Sequence, residues 1–298
     1  MRVTFSTNIV DLEHAIATAA ADMATHQREL STGRRINVLS DDPTAASAAI
    51  AERTEMAVTD RYKAAADTAT SRLSIVDSSL TALINQATAA QSAVMSARTS
   101  TATPAQREAA AANLEAIRDS VVSLMNTNYR GSYIFSGNTP TVAPYTKTGS
   151  VVSSYLGGTG TVSMDVDRQA SVQIAFSSDA ILKGSDSKDL IRVLEDLAAA
   201  ARDPNGSAAL QAGTAALDSA FARLTSVQTK VGNDMAQIDI RQQELTTRHL
   251  SSQTRLSSLE DADLSNTISD MNRASTAYQA ALKAASTASH ATLMDYLS

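Results

Sequence analysis

The sequence predicts a mainly α fold: a long antiparallel helical rod, coiled-coil-like, with a small inserted β-rich module and amphipathic terminal helices. Three observations carry this. First, from Ser207 to Ser258 mostly large apolar residues recur at alternating steps of four and three: Leu210, Thr214, Leu217, Phe221, Leu224, Gln228, Val231, Met235, Ile238, Gln242, Leu245, His249, Ser252 and Leu256. A 3.5-residue period held this long specifies a helix with one continuous seam. At 1.5 Å per residue such a helix is on the order of 80 Å long. Second, the stretch from Pro43 to about Arg98 has a similar length and the same period, with its seam at Tyr62, Ala66, Ala69, Leu73, Val76, Leu80, Leu83, Ala87, Ala90, Val94 and Ala97. Matched length and period make the two stretches antiparallel partners. Third, seven of the eleven glycines fall between Gly131 and Gly184, marking a different kind of structure in mid-chain.

Taken in order, the first helix is expected over about Asn8 to Thr32, with Ile9, Leu12, Ile16, Ala19, Met23, His26 and Leu30 on one seam. Gly33 ends it as a C-cap residue. After the link Arg34 to Asp41, Asp42-Pro43 restarts a helix, with Asp42 as N-cap and Pro43 at the first helical position. Thr103-Pro104-Ala105-Gln106 is a capping-box start for a shorter helix with Ala110, Leu114, Ile117, Val121 and Leu124 on one face. From Gly131 the period changes to two. Tyr133-Ile134-Phe135, Val151 to Leu156, Val162 to Val166 and Val172 to Phe176 read as strands, and Gly157-Gly158 as a tight hairpin. A helix is expected from about Ser187 to Ala201, and Asp203-Pro204-Asn205-Gly206 turns the chain into the great helix. The tail from Asp263 has its own seam, Ile268, Met271, Ser275, Tyr278, Leu282, Ala285, Ser289, Thr292 and Tyr296. The domains follow: terminal coiled-coil assembly segments at 1–42 with 260–298, a helical rod at 43–130 with 187–259, and the inserted outer module at 131–186.

Composition bounds the function. The chain of 298 residues has no tryptophan, 4% aromatics and a net charge of −6. Alanine, serine and threonine dominate, which suits thin helix–helix seams. The acidic balance argues against general nucleic-acid affinity. With no cysteine, disulfides and thiolate metal sites are excluded. No run approaches the ~20 apolar residues of a membrane span. The stretch Met1 to Asn8 does not resemble a signal peptide, so the expectation is a cytosolic protein or one that leaves without a cleaved signal.

Chemistry-bearing residues are sparse. His14, His26, His249 and His290 show no metal-ligand spacing and read as ordinary helix positions. Gly157-Gly158-Thr159-Gly160 precedes a strand pattern and reads as a turn. Asp41-Asp42 and Asp261-Ala262-Asp263 have no nucleophile or histidine nearby, and helix capping explains Asp42 better than acid–base chemistry. The reading is therefore not an enzyme, with no catalytic, cofactor-binding or metal-binding residues. What remains are the terminal seams. Each stripe is narrow and diluted by alanine and serine, and two such helices paired alone would be marginal. They are read as made to pack with copies of the same chain. The expected subunit-assembly residues are Ile9, Leu12, Ile16, Met23, Leu30, Ile268, Met271, Tyr278, Leu282, Leu293, Tyr296 and Leu297.

Two motifs carry a family resemblance. Leu30-Ser31-Thr32-Gly33-Arg34-Arg35-Ile36-Asn37, followed by Ser40-Asp41-Asp42-Pro43, resembles the N-terminal signature of the flagellin superfamily. Leu259-Glu260-Asp261-Ala262-Asp263 resembles its C-terminal signature. The resemblance covers about the first 135 and the last 90 residues; the central module belongs to a part that varies widely in the superfamily. Pro43 after Asp41-Asp42, Tyr133-Ile134-Phe135-Ser136-Gly137 after Asn128-Tyr129-Arg130-Gly131, and the ending Leu293-Met294-Asp295-Tyr296-Leu297 make it most similar to the hook–filament junction members. The resemblance implies a structural protein of the bacterial flagellum, extracellular at the hook–filament junction. It implies a self-assembling helical or ring polymer with an adjacent hook-associated protein and flagellin as neighbours. It also implies unfolded type III export without a cleaved signal peptide, and a cytosolic export chaperone on the C-terminal helix. Filament flagellin is the alternative. A helical surface adhesin or secretion-needle protein is the alternative of another class.

Overall fold

In the computed structural model the chain is described over residues 2–99 and 102–297, and its side chains over 10–99 and 102–287. It divides into two compact units, Met1–Thr59 with Thr247–Ser298, and Asp60–Thr246.

The Asp60–Thr246 unit is built on two long helices, α2 (Pro43–Arg98) and α6 (Ser207–Glu260), which continue into the other unit. Their cross-links inside this unit step in opposite directions. Gln91 Nε2 donates to Asp218 (2.7 Å), Gln228 Nε2 to Thr81 Oγ1 (2.8 Å) and Gln242 Nε2 to Asp67 (2.7 Å). The pair is therefore antiparallel and in one register, as the matched seams predict. On α2 both positions of each heptad from Ala66 to Ala97 are buried. On α6 every seventh residue is buried, Leu210, Leu217, Leu224, Val231, Ile238 and Leu245. The intervening Thr214, Gln228 and Gln242 stay partly exposed and satisfy their polar groups across or along the helix. The difference arises because α2 shares its core with α3 and the β segments as well as with α6.

α3 (Pro104–Met125) starts with the predicted capping box: Thr103 accepts from the Gln106 N–H, and Gln106 accepts from the Thr103 N–H. α3 packs on α5 (Leu190–Arg202), whose face Leu190, Ile191, Leu194, Leu197, Ala198 and Ala201 is buried. Arg202 spans from α5 to Glu108 and Glu115 of α3.

The mid-chain module departs from the expected strands. It holds three antiparallel two-stranded ribbons: β1 (Asn128–Tyr129) with β2 (Ser132–Tyr133), β3 (Lys147–Thr148) with β4 (Val151–Val152), and β5 (Val162–Asp167) with β6 (Ala170–Ala175). Ile134 and Phe135 are not strand residues. Both are fully buried in a turn, and their carbonyls accept from Phe176 and Ser178. Only Val151–Val152 of the stretch to Leu156 is strand. Gly157-Gly158 makes no hairpin either; the ribbons turn elsewhere, one of them at Gly149. Gly158 instead donates its N–H to Ser136 O and Thr139 Oγ1, and a Cβ there would lie 1.8 Å from Asn138 Oδ1. A glycine pair signals either a tight turn or a close backbone approach, and here packing selects the second. A short helix, α4 (Ser178–Leu182), follows β6; its five residues are too few to show a helical apolar period in the sequence.

The Met1–Thr59 and Thr247–Ser298 unit contains α1 (Arg2–Thr32), α7 (Leu264–Leu297), the start of α2 and the end of α6. α1 begins earlier than Asn8. The two terminal helices pack along each other within one chain. This differs from the expectation that their seams face only other copies. The reason lies in the joint at their base.

Candidate assembly interface

The joint is built from backbone and charge. Gly33 adopts φ +69° and donates its N–H to Glu29 O, stopping α1 as a left-handed cap. The chain then runs antiparallel to the end of α6. The Arg35 N–H donates to the Glu260 carbonyl (2.7 Å), and the Ala262 N–H donates to the Gly33 carbonyl (3.0 Å). Arg35 also reaches the Leu259 carbonyl at 3.1 Å and Asp42 at 3.4 Å. Asn37 donates its side-chain amide to Arg34 O (2.8 Å). Asp41 closes the link by accepting from the N–H groups of Val38 and Asn37, which hold its carboxyl below the ordinary carboxylate range. Asp42 caps α2 through the Ala45 N–H (3.0 Å), which likewise lowers its pKa, and Pro43 is the first residue of that helix. Asp263 caps α7 through the N–H groups of Ser265 and Asn266, and Asp261 bonds Ser257.

One charged residue is buried here. The Glu260 side chain is 6% exposed, with Arg53 Nη2 at 2.7 Å and Arg34 Nε at 3.8 Å. Arg53 lies on α2 outside both motifs, and nothing in its sequence neighbourhood marks it. Beside the joint, Arg255 grips Glu52 with two bonds, lowering the Glu52 pKa.

Above the joint, Leu12, Ile16, Met23 and Leu30 are half-buried around buried Ala19, the stripe predicted for α1. On α7 the covered residues are Thr267, Asp270, Met271, Ala274, Ser275, Tyr278, Ala281 and Ala285. Met271, Ser275, Tyr278 and Ala285 belong to the predicted seam. Ile268 and Leu282 do not share the cover: they are 50% and 43% exposed, as is Leu264 at 50%. The covered face thus keeps four of the six described seam positions and adds the small residues Thr267, Ala274 and Ala281 beside them. Close helix approach selects alanine and threonine, whereas a reading by hydrophobicity selects isoleucine and leucine. Ile9, Leu293, Tyr296 and Leu297 lie outside the residues whose side chains are described. Among the described residues, no group of three or more His, Asp or Glu could hold a metal ion, and no helix is long and apolar enough to cross a membrane.

The two motifs, some 220 positions apart in the chain, are therefore one structural joint. Comparison with known proteins agrees with that architecture. Residues 5–139 match the bacterial flagellin N-terminal helical region, and residues 214–297 match the bacterial flagellin C-terminal helical region. The chain belongs to the flagellin superfamily. Among flagellin-superfamily relatives, it is 27% identical over 304 residues to the flagellar hook-associated protein 3 of Escherichia coli K12, covering 94% of this chain and 95% of that one. It is 27% identical over 277 residues to the Salmonella typhimurium protein of the same name, covering 86% of each. Solved structures of this superfamily share the fold. A putative flagellar hook-associated protein from Vibrio parahaemolyticus superposes with a TM-score of 0.69 at 20% identity, over 74% of this chain and all of that one. The flagellar junction protein FlgL from Legionella pneumophila gives 0.61 at 12% identity, over 72% of this chain and 100% of that one.

Proposed function

We propose that the chain is a structural protein of the bacterial flagellum that polymerises as the adaptor at the hook–filament junction. The observation that carries this is near full-length similarity to two flagellar hook-associated proteins 3. A terminal helix pair clasped at its base by both signature motifs supports it. Its neighbours would be a hook-associated protein on one side and flagellin on the other. Copies would meet through the outward stripe of α7, Leu264, Ile268 and Leu282, whose apolar side chains are about half exposed among the described residues. The predicted seam residues Leu12, Ile16, Met23, Leu30, Met271 and Tyr278 are half-buried and would complete their cover in the polymer, with Ile9, Leu293, Tyr296 and Leu297 continuing the same helices. Head-to-tail contacts of this heterologous kind build rings or open helices. Binding energy spread over thin, alanine-diluted seams makes single contacts weak and assembly cooperative. Export as an unfolded chain without a cleaved signal, with a cytosolic chaperone holding the C-terminal helix, belongs to the same proposal. So does the absence of catalysis.

Deletion of the gene tests the reading. Loss of a junction protein leaves hooks in place while flagellin escapes into the medium as monomer. Cells that still build filaments without this chain would rule out the adaptor role. Bare hooks still carrying the hook-associated proteins would point to filament flagellin instead.

A further inference from the structure

We propose that Glu260 and Arg53 form a positioning pair: an ionic latch that fixes the base of the α1–α7 pair. The argument starts from an anomaly. Glu260 is the last residue of α6, where the helix dipole disfavours an anion, and the last turn of α6 holds no basic residue to offset it. The carboxylate is also almost fully buried, which is costly for a charge without partners. Its place is explained by what it touches. Oε2 receives Arg53 from α2 at 2.7 Å and faces Arg34, just past α1, at 3.8 Å. Its own backbone carbonyl receives the Arg35 N–H. One residue therefore binds the end of α6, the α1–α2 link and the third turn of α2 at a single point. The adjacent charges do not compete for it: Arg35 reaches Asp42, and Arg255 grips Glu52. α1 and α7 leave this point in the same direction, so the latch sets how they meet. Arg53 is the half of it that neither signature motif contains.

The latch belongs to the folded monomer and does not depend on the polymer reading. Hydrogen exchange on the purified full-length chain tests it, using Arg53→Met, Glu260→Gln and the double variant. Removing Arg53 alone leaves the buried carboxylate only the longer 3.8 Å contact with Arg34. Arg53→Met should therefore speed amide exchange in residues 10–32 and 264–287 several-fold while residues 60–246 exchange as in the parent. In the double variant no charge is stranded, and terminal exchange should fall back below that of Arg53→Met. Terminal exchange unchanged in both single variants would overturn the latch. So would a double variant whose loosening is the sum of the two singles, because the residues would then act independently. Exchange is read on the monomer, so neither result bears on whether the chain caps hooks.

Discussion

At the scale of single residues, the chain separates positions satisfied within the subunit from positions left open. Ile238 is fully buried mid-seam on α6. Ile238→Asp should lower the stability of the Asp60–Thr246 unit by several kcal/mol, since an unpaired carboxylate would be buried there; thermal melting checks it. Asp42 gives a pH-dependent counterpart. Its N–H partners and Arg35 depress its folded pKa below the ordinary 3.8. A depressed carboxyl contributes stability that is fully present above its unfolded pKa and lost as pH falls through the folded one. The melting temperature of the parent should therefore fall faster than that of Asp42→Asn once the pH drops below about 4, and the two curves should run parallel at neutral pH. Both residues were legible from sequence: one from the 3.5-residue period, the other from an acid before proline. Arg53 was not, because nothing local distinguishes it from any other exposed helical arginine.

At the scale of elements, the long helices were legible, most of them nearly to their ends, whereas α4 and the ribbons were not. Long seams integrate many weak preferences into one clear period, and glycine, proline and caps mark where each stops. The ribbons are two to six residues long, and residues as hydrophobic as Ile134 and Phe135 serve the core from a turn. α7 shows the subtler limit. Its period was plain, yet two of its large seam residues, Ile268 and Leu282, are about half exposed while the neighbouring Thr267 and Ala281 are covered. Leu282 is thus left 43% exposed. Leu282→Asp should barely move the melting of the monomer while blocking incorporation into the flagellum. Motile cells carrying the variant at normal levels would exclude that stripe from assembly.

At the scale of the whole molecule, two compact units of unequal core predict unequal resistance. The Asp60–Thr246 unit contains one continuous apolar core fed by α2, α3, α5, α6 and the β segments. The terminal unit relies on narrow seams in which alanine buries little area per residue. Dilute protease should trim the first forty or so residues and those after about Asp261 before it cuts within 60–246. A chain of residues 60–246 expressed alone should be soluble and melt cooperatively. A fragment without a cooperative melt would show that its core depends on the terminal unit.

The sequence by itself determined the mainly α class, the antiparallel long pair, the capped ends of the helices and the two motifs that identify the superfamily. Each of these is written in local chemistry or in a period repeated over tens of residues. Only the tertiary structure decided that the two motifs are one joint, that Glu260 is held by Arg53, that Ile268 and Leu282 are left half-exposed on α7, and that Gly158 serves a close approach rather than a turn. Those outcomes depend on which distant backbone arrives at a given side chain. An arginine or a glycine pair looks the same in sequence whichever neighbour it meets, so their roles became readable only once the chain had brought those neighbours together.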